Sequence, residues 1–435
     1  MTTLTFPLSR IEGHARVVVE IQDGRPVAAN FQATEFRGFD FLVQNVPAEQ
    51  MPVIVPRICG VCSTAHHVAA VKALEDVYGV QPPPLALKIR ELLMLGQLIQ
   101  NQATSLFIFT LPDRLGTTSI FETENTDDTQ LSSLTARVLQ VRQAGTHLIT
   151  LAGGQFIHPV KAVVGGVTSG VAPEAAETMR QELEVVLPQS CALFDYYWEL
   201  SLSLRERIGT WGDDGPASYI TAISDCTPNY YGEQITITSA EGALEAAFDA
   251  DQFREHLVYE PTDYSYAGKT SYNGDVLRAN SLARINQARC MGTPCADEYL
   301  ERFHEAFGQP AHAILLFDLA RGIELVYAIE RAIEILQDPL DEADTDVAYV
   351  PHDGEGYGLV EAPRGPLIHH YLVEEGEIAH AEFIIPTVHN ILAIERALHV
   401  AAERYVTEQQ VDMELERAVG RVVRAFDPCI ACATH

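Results

Sequence analysis

Two Cys-x-x-Cys pairs stand near opposite ends of this 435-residue chain, Cys59 and Cys62 within RICGVCSTAHH and Cys429 and Cys432 within DPCIACATH. A fold that uses both pairs at once must bring together segments separated by most of the chain. That favours one interleaved unit over independent domains in series. Each pair can set two thiolates on one ion, and two pairs supply the four sulfur donors of a tetrahedral site. From spacing alone three readings stand: a closed zinc staple, an iron-sulfur or other soft-metal site, and a redox dithiol whose first pair precedes a helix N-terminus. Arg57, His66, Asp427 and His435 flank the pairs. A passive staple has no use for such ionisable groups, so the surroundings point to a reactive centre.

The rest of the composition narrows the setting. Eight cysteines in a chain of this length are too sparse for a disulfide scaffold, and Cys191, Cys226, Cys290 and Cys295 are read as small buried apolar residues. A formal net charge of −31 leaves no basic surplus for phosphates, which argues against nucleic acid or an acidic membrane surface as partner. No run of about 18 apolar residues is present, and MTTLTFPLSRIEGH lacks the pattern of a secretion signal, so neither a membrane span nor export by this chain's own signal is expected.

Hydrophobic patterning suggests an α+β fold: a central bundle of long α-helices with an N-terminal antiparallel sheet and peripheral strands. Residues 1–50 read as β structure, with Asp23-Gly24 as a hairpin turn between β-branched runs. Residues 51–210 read as the helical core. One helix ends at Gly79, a second and very apolar one covers LALKIRELLMLGQLIQNQATSLFIFT, and two more lie at about 127–152 and 173–208, the last interrupted by Pro188. Residues 211–350 read as a mixed peripheral region, with loops and short strands wrapping the bundle over residues 210–300. Residues 351–435 carry strands, then helices at about 390–406 and 412–426, the last delivering the second cysteine pair.

Read together, RICGVCSTAHH and DPCIACATH resemble the paired signatures of the large, catalytic subunit of [NiFe] hydrogenases. SRIEGHARV, FRGFD at 36–40, HPVKAVVGGV at 158–167, EAPRGPL at 361–367 and IIPTVHN at 384–390 extend the likeness over nearly the whole chain. The resemblance implies reversible heterolytic cleavage of dihydrogen at a Ni-Fe centre whose iron carries CO and cyanide. Cys59, Cys62, Cys429 and Cys432 would be the metal ligands, with Cys62 and Cys432 shared between the metals. It further implies Arg364 over the open site, paired with Asp113 and Asp427, and Glu12 as first proton relay beyond the cysteine sulfur. Arg364 and Thr387 would donate to the cyanides, Leu367 and Pro386 would keep that pocket dry, and His66 would donate to a bridging thiolate.

Two departures stand out. The family's RGFE reads RGFD here, so Asp40 must reach on a shorter arm toward the magnesium-type ion that the resemblance sets near His435. Asn101, Gln102 and Ser105 stand where many relatives have histidines, which alters any relay through that face. The ending at His435 also matches the point where a maturation protease trims such chains after nickel insertion.

No ferredoxin-like cysteine spacing remains to carry electrons away, so the resemblance implies that the obligate partner is an iron-sulfur small subunit. The likeness is greatest to the cytoplasmic, bidirectional group, whose further subunits reduce nicotinamide or deazaflavin cofactors. No G-x-G-x-x-G follows a strand in this chain, so a nucleotide site belongs to another polypeptide. A hydrogen-sensing homologue that signals to a protein partner, and a structural subunit stapled by zinc, are the competing readings. Retention of all four cysteines and Arg364 speaks against the second.

Overall fold

The computed structural model describes residues 1–435 except 126–132, 209–210, 224–226, 342–343 and 408–410. At the N-terminus β1 (Thr2–Pro7), β2 (Ala15–Gln22) and β3 (Arg25–Ala33) form an antiparallel sheet in that order. Asp23 and Gly24 take φ of 52° and 76°, the left-handed conformation that a two-residue hairpin needs and that Asp and Gly tolerate. Val17, Val19 and Ile21 alternate inward with Phe31 and Ala33, giving the sheet one buried face.

The helices form the centre. α1 (Ser63–Tyr78) begins directly after Cys62 and ends at Gly79, whose φ of 61° caps it. α2 (Pro84–Ala103) is buried on nearly every side and passes into π-helical turns over Thr104–Thr110 before a last turn at Leu111–Leu115. α3 (Leu134–Gly153) packs along α2, and α4 (Pro173–Ser203) packs on α3. The expected helix start near 127 falls outside the described residues. Pro188 does not interrupt α4, contrary to the sequence reading. It lies on the exposed face, where water can solvate the carbonyl its ring frees, while Leu183, Val186 and Leu193 hold the buried stripe in register.

The peripheral region is more ordered than a set of loops. Strands β4 (Ser218–Thr221), β5 (Ile235–Thr238), β6 (Leu244–Phe248), β7 (Leu257–Glu260), β8 (Lys269–Tyr272) and β9 (Asp275–Arg278) make one sheet in the order β6-β5-β4-β9-β8-β7. Only the β4–β9 pair is parallel. Helices α5 (Ser281–Gln287), α6 (Pro294–Phe307) and α7 (Leu316–Ile335) lead back to the bundle. Cys290 lies in the α5–α6 loop and is exposed, and Cys191 and Cys295 are only half-buried, so these three are not the buried apolar residues expected. Cys226 falls outside the described residues.

The last section builds the site. β10 (Gly354–Ala362), β11 (Gly365–Glu374) and β12 (Glu377–Ile384) form an antiparallel meander that lies across α1. Gly356 and Gly358 allow that approach: a Cβ on Gly358 would sit 2.0 Å from the Ala69 carbonyl oxygen of α1. Ala362 pairs with Gly365, so Pro363 and Arg364 are the two residues of the hairpin turn, pushed toward the core. α8 (Pro386–Tyr405) follows β12, and α9 (Glu414–Phe426) ends on Asp427 in the left-handed conformation. A short turn, α10 (Ile430–Ala433), carries the second cysteine pair.

Candidate metal centre

Three chain segments converge on this last turn. Glu12 pairs with Cys429 as an isolated parallel bridge, and the Ile430 amide donates to the Glu12 carbonyl at 3.0 Å. The Arg37 amide of FRGFD donates to the Thr434 carbonyl at 2.8 Å. Cys62 lies at the N-terminus of α1, which the β10–β11 hairpin covers with Arg364. Both ends of the chain therefore meet through backbone hydrogen bonds, and the four sulfurs follow from that meeting.

The sulfurs of Cys59, Cys62, Cys429 and Cys432 all lie within 4.8 Å of one another and all four residues are buried. Cys59 Sγ is 3.4 Å from Cys429 Sγ, and Cys429 Sγ is 2.8 Å from Cys432 Sγ. All four are free thiols. Hydrogen bonds from Cys429, Cys432 and Cys59, with the Arg364 charge behind them, hold the Cys62 thiol well below its ordinary range. Burial pushes the Cys429 and Cys432 thiols well up. Packed this closely away from water, the four cannot ionise together unless a multivalent cation compensates them. Four soft donors in one dry pocket fit a thiophilic metal centre.

The surrounding groups are polar and directed. Arg364 is 3 % exposed and donates through Nε to the Asp427 carbonyl at 2.6 Å, through Nη1 to Cys62 Sγ at 3.1 Å and through Nη2 to Asp427 Oδ1 at 3.1 Å. Burial works against its charge, but the Asp427 carboxylate and the sulfurs outweigh burial and keep the guanidinium protonated. Glu12 Oε2 lies 3.2 Å from Cys429 Sγ and accepts from the Ala431 amide at 3.3 Å. His66 Nε2 is 3.4 Å from Cys432 Sγ. Thr387 Oγ1 accepts from the Cys429 amide at 2.9 Å, which leaves its own O–H free to donate into the pocket. Leu367 and Pro386 are buried.

Asp113 departs from the expected arrangement. Its carboxylate accepts from Arg424 at 2.6 and 3.0 Å and from Arg10 at 2.6 Å, while Arg364 gives its hydrogen bonds to Asp427 and Cys62. Two guanidiniums, from the N-terminal segment and from α9, saturate Asp113, so the Arg364–Asp113 pair does not form. Asp427 has a second anchor instead: Asn101 Nδ2 donates to its Oδ2 at 3.3 Å. Asn101, marked in the sequence only as a departure, thus fixes the carboxylate that orients Arg364. At the other side Asp40 Oδ2 reaches within 3.5 Å of His435 Nε2, and its buried Oδ1 has no hydrogen-bond partner. The shorter arm of Asp therefore reaches the C-terminal turn. His369 and Tyr371, which no motif singled out, extend the polar path behind His66.

A buried four-thiol centre clasped between the two ends of an α+β chain defines the class: a protein with a preformed site for a thiophilic metal. Comparison with known proteins gives the family. Residues 37–137 and 220–435 match the model described as nickel-dependent hydrogenase, and residues 5–36 match a HoxL-like model. A vhu-type F420-non-reducing hydrogenase chain of Methanococcus voltae is 34% identical over 91% of this chain and 97% of its own length. The NAD-reducing hydrogenase HoxS beta chain of Cupriavidus necator is 30% identical over 99% of this chain and 93% of its own. An NAD+-reducing [NiFe]-hydrogenase in the H2-reduced state superposes with a TM-score of 0.91 at 29% identity, each chain fully covered. A Ni-Fe-Se hydrogenase from D. vulgaris Hildenborough shares the fold, with a TM-score of 0.82 at 20% identity. The chain belongs to the nickel-dependent hydrogenase family, as the large subunit of a [NiFe] hydrogenase, an oxidoreductase.

Proposed function

We propose that this chain cleaves and forms dihydrogen reversibly at a nickel-iron centre that Cys59, Cys62, Cys429 and Cys432 would hold. The carrying observation is the buried four-sulfur cluster, with Glu12 on one sulfur and Arg364 on another. When bound, a nickel-iron centre with CO and cyanide on its iron supplies the heterolytic cleavage of dihydrogen.

The chain's own residues supply the rest. A proton on Cys429 Sγ has one carboxylate within reach among the described residues, Glu12 Oε2, and Glu12 is half-buried, so it can pass the proton outward. Arg364, kept charged between Asp427 and Cys62, acts as a fixed cation over the pocket and not as the base. Its remaining N–H bonds and the free Thr387 hydroxyl suit strong acceptors such as cyanide, and Leu367 and Pro386 exclude water around them. His66 contributes the hydrogen bond to the Cys432 thiolate. Asp40, with its orphaned Oδ1 beside His435, fits a magnesium-type ion that ties the C-terminal turn down.

Electrons leave through another polypeptide. Cys191 and Cys295 belong to no four-sulfur group among the described residues, and neither does Cys290, so an iron-sulfur small subunit is the expected acceptor. Phe36, Phe41, Leu42 and Tyr266 are exposed close to the FRGFD segment, the rings of Phe36 and Tyr266 5.8 Å apart, and offer it an apolar face. The name of the NAD-reducing relative supports further subunits that pass electrons to or from nicotinamide, whereas the name F420-non-reducing, borne by other relatives, speaks for no such transfer to F420. No helix among the described residues is long and apolar enough to cross a membrane; the cytoplasmic location is proposed from the nicotinamide-coupled relative, whose soluble cofactor is used there. The test is dihydrogen-dependent dye reduction, with hydrogen-deuterium exchange, by the anaerobically purified complex. Both activities are expected. Absence of both in a nickel-loaded preparation would overturn the reading.

A further inference from the structure

His66, His369 and Tyr371 form a single file behind the cysteine cluster. His66 Nε2 lies 3.4 Å from Cys432 Sγ, His66 Nδ1 lies 2.9 Å from His369 Nε2, and His369 Nδ1 lies 2.6 Å from the Tyr371 hydroxyl. None of the three is more than 1 % exposed. His369 and Tyr371 alternate onto one face of β11, opposite Gly358 and Gly356 of β10, the glycines that admit α1 and with it His66. His370, between them, faces away and bonds Glu355 at 2.7 Å.

The file has only one good polarity. Among the described residues neither imidazole in it touches a carboxylate, and each neutral ring carries one N–H. The Tyr371 hydroxyl has no hydrogen-bond partner other than His369 Nδ1 among the described residues. If the hydroxyl donates, His369 carries its proton on Nε2 and donates to His66 Nδ1, and His66 then presents Nε2–H to the Cys432 sulfur. In the reverse direction the Tyr371 O–H would be buried with no acceptor, at a cost of about 1–3 kcal/mol. A nitrogen lone pair would also face the sulfur. Both faults fall on one polarity and none on the other.

We propose that Tyr371 is a positioning residue of the metal centre: through His369 it fixes the tautomer of His66, so that a hydrogen bond always faces Cys432 and withdraws charge from that thiolate. This rests on the proposed nickel-iron reading and goes beyond it, because Tyr371 touches neither a cysteine nor any group that contacts one directly. Losing the hydroxyl frees both rings to reverse. Cys432 then donates more strongly, and stretching bands of ligands on the adjoining metal move to lower wavenumber.

The test is the infrared spectrum of the purified holo-complex, compared across four forms: wild type, Tyr371→Phe, His369→Gln and the double variant. Tyr371→Phe is expected to lower the CO and cyanide bands. A glutamine at 369 can donate its amide N–H to His66 whatever lies behind it, so His369→Gln is expected to keep the wild-type bands and to abolish the effect of adding Tyr371→Phe. Unshifted bands in a folded, metal-loaded Tyr371→Phe protein would overturn the proposal, as would an equal shift in both backgrounds, which would make Tyr371 a packing residue only. If Tyr371→Phe does not load metal, His369→Met against His369→Gln decides: lowered bands in the Met variant alone support the wire, and identical bands overturn it. A nickel-loaded wild type with no CO or cyanide bands would instead refute the nickel-iron reading itself.

Discussion

Arg364 spends three separate N–H groups on a carbonyl, a carboxylate and a sulfur, a pattern that one ammonium cannot reproduce. Arg364→Lys is therefore expected to retain nickel, because all four thiols remain, and to lose turnover by about 10²-fold or more, since the cation over the pocket is displaced. Metal analysis beside dye-linked activity checks both halves. Glu12→Gln keeps the volume and an oxygen for the Ala431 amide but cannot carry a proton from Cys429. Turnover is expected to fall by about 10²- to 10⁴-fold with nickel content unchanged, and an unaltered rate would remove Glu12 from the relay. The cysteines, Arg364 and Glu12 were legible because each sits in a short, chemically unusual motif. Asp113 was legible as a residue but not in its partner, because Arg10 and Arg424 reach it from distant segments. His369 and Tyr371 left no trace in the sequence, and Asn101 showed only as a departure from the family: a polar residue alternating on a strand or lying on an apolar helix looks the same whether or not it faces a site.

At the level of elements, the β10–β11 hairpin carries Arg364 to Cys62 only because β10 lies almost against the backbone of α1. Gly358→Ala would drive a methyl into the Ala69 carbonyl, and the clash is with backbone that cannot turn aside. A loss of about 1–3 kcal/mol or more is expected in chemical denaturation, with reduced metal loading, whereas a wild-type midpoint would mean that the two elements can separate freely. The same strand bears Glu361, which shares Arg284 with Glu324: Arg284 reaches Glu361 at 2.5 Å and Glu324 at 2.5 and 2.9 Å. Burial pushes the Glu361 carboxyl up to about 7, against the pull of Arg284. The folded chain then keeps a proton that the unfolded chain releases near its ordinary range. This contribution, about 3 kcal/mol at most, is full at acid pH below that range and is lost as pH rises toward 7. Melting temperature should fall more steeply from pH 5 to 8 in wild type than in Glu361→Gln, and parallel curves would contradict the assignment. Elements with strong punctuation, the Asp23-Gly24 hairpin and the Gly79 cap, were readable from sequence. The six-stranded sheet was not, because its strands run only four or five residues each among Gly, Tyr and Asn, too short for alternation to show.

Over the whole molecule, the long-range logic is that the chain's two ends are joined by backbone before any metal is considered: Glu12 to Ile430, Arg37 to Thr434, and α1 beneath the last hairpin. One continuous apolar core runs from β2 through the helices to the last cysteine, with a smaller one around the six-stranded sheet, so segments from both ends and the middle of the chain pack together around the site. The wide separation of the two pairs made this closure legible from the start, whereas the path the chain takes between them was not. Whether these four sulfurs hold a nickel-iron centre is decided by nickel K-edge X-ray absorption on the purified complex, with metal analysis of the same sample. Nickel is expected in a shell of sulfur donors with iron as its near metal neighbour, and loss of that shell in Cys429→Ser. Zinc as the only metal on these cysteines, or nickel bound through nitrogen and oxygen alone, would contradict it.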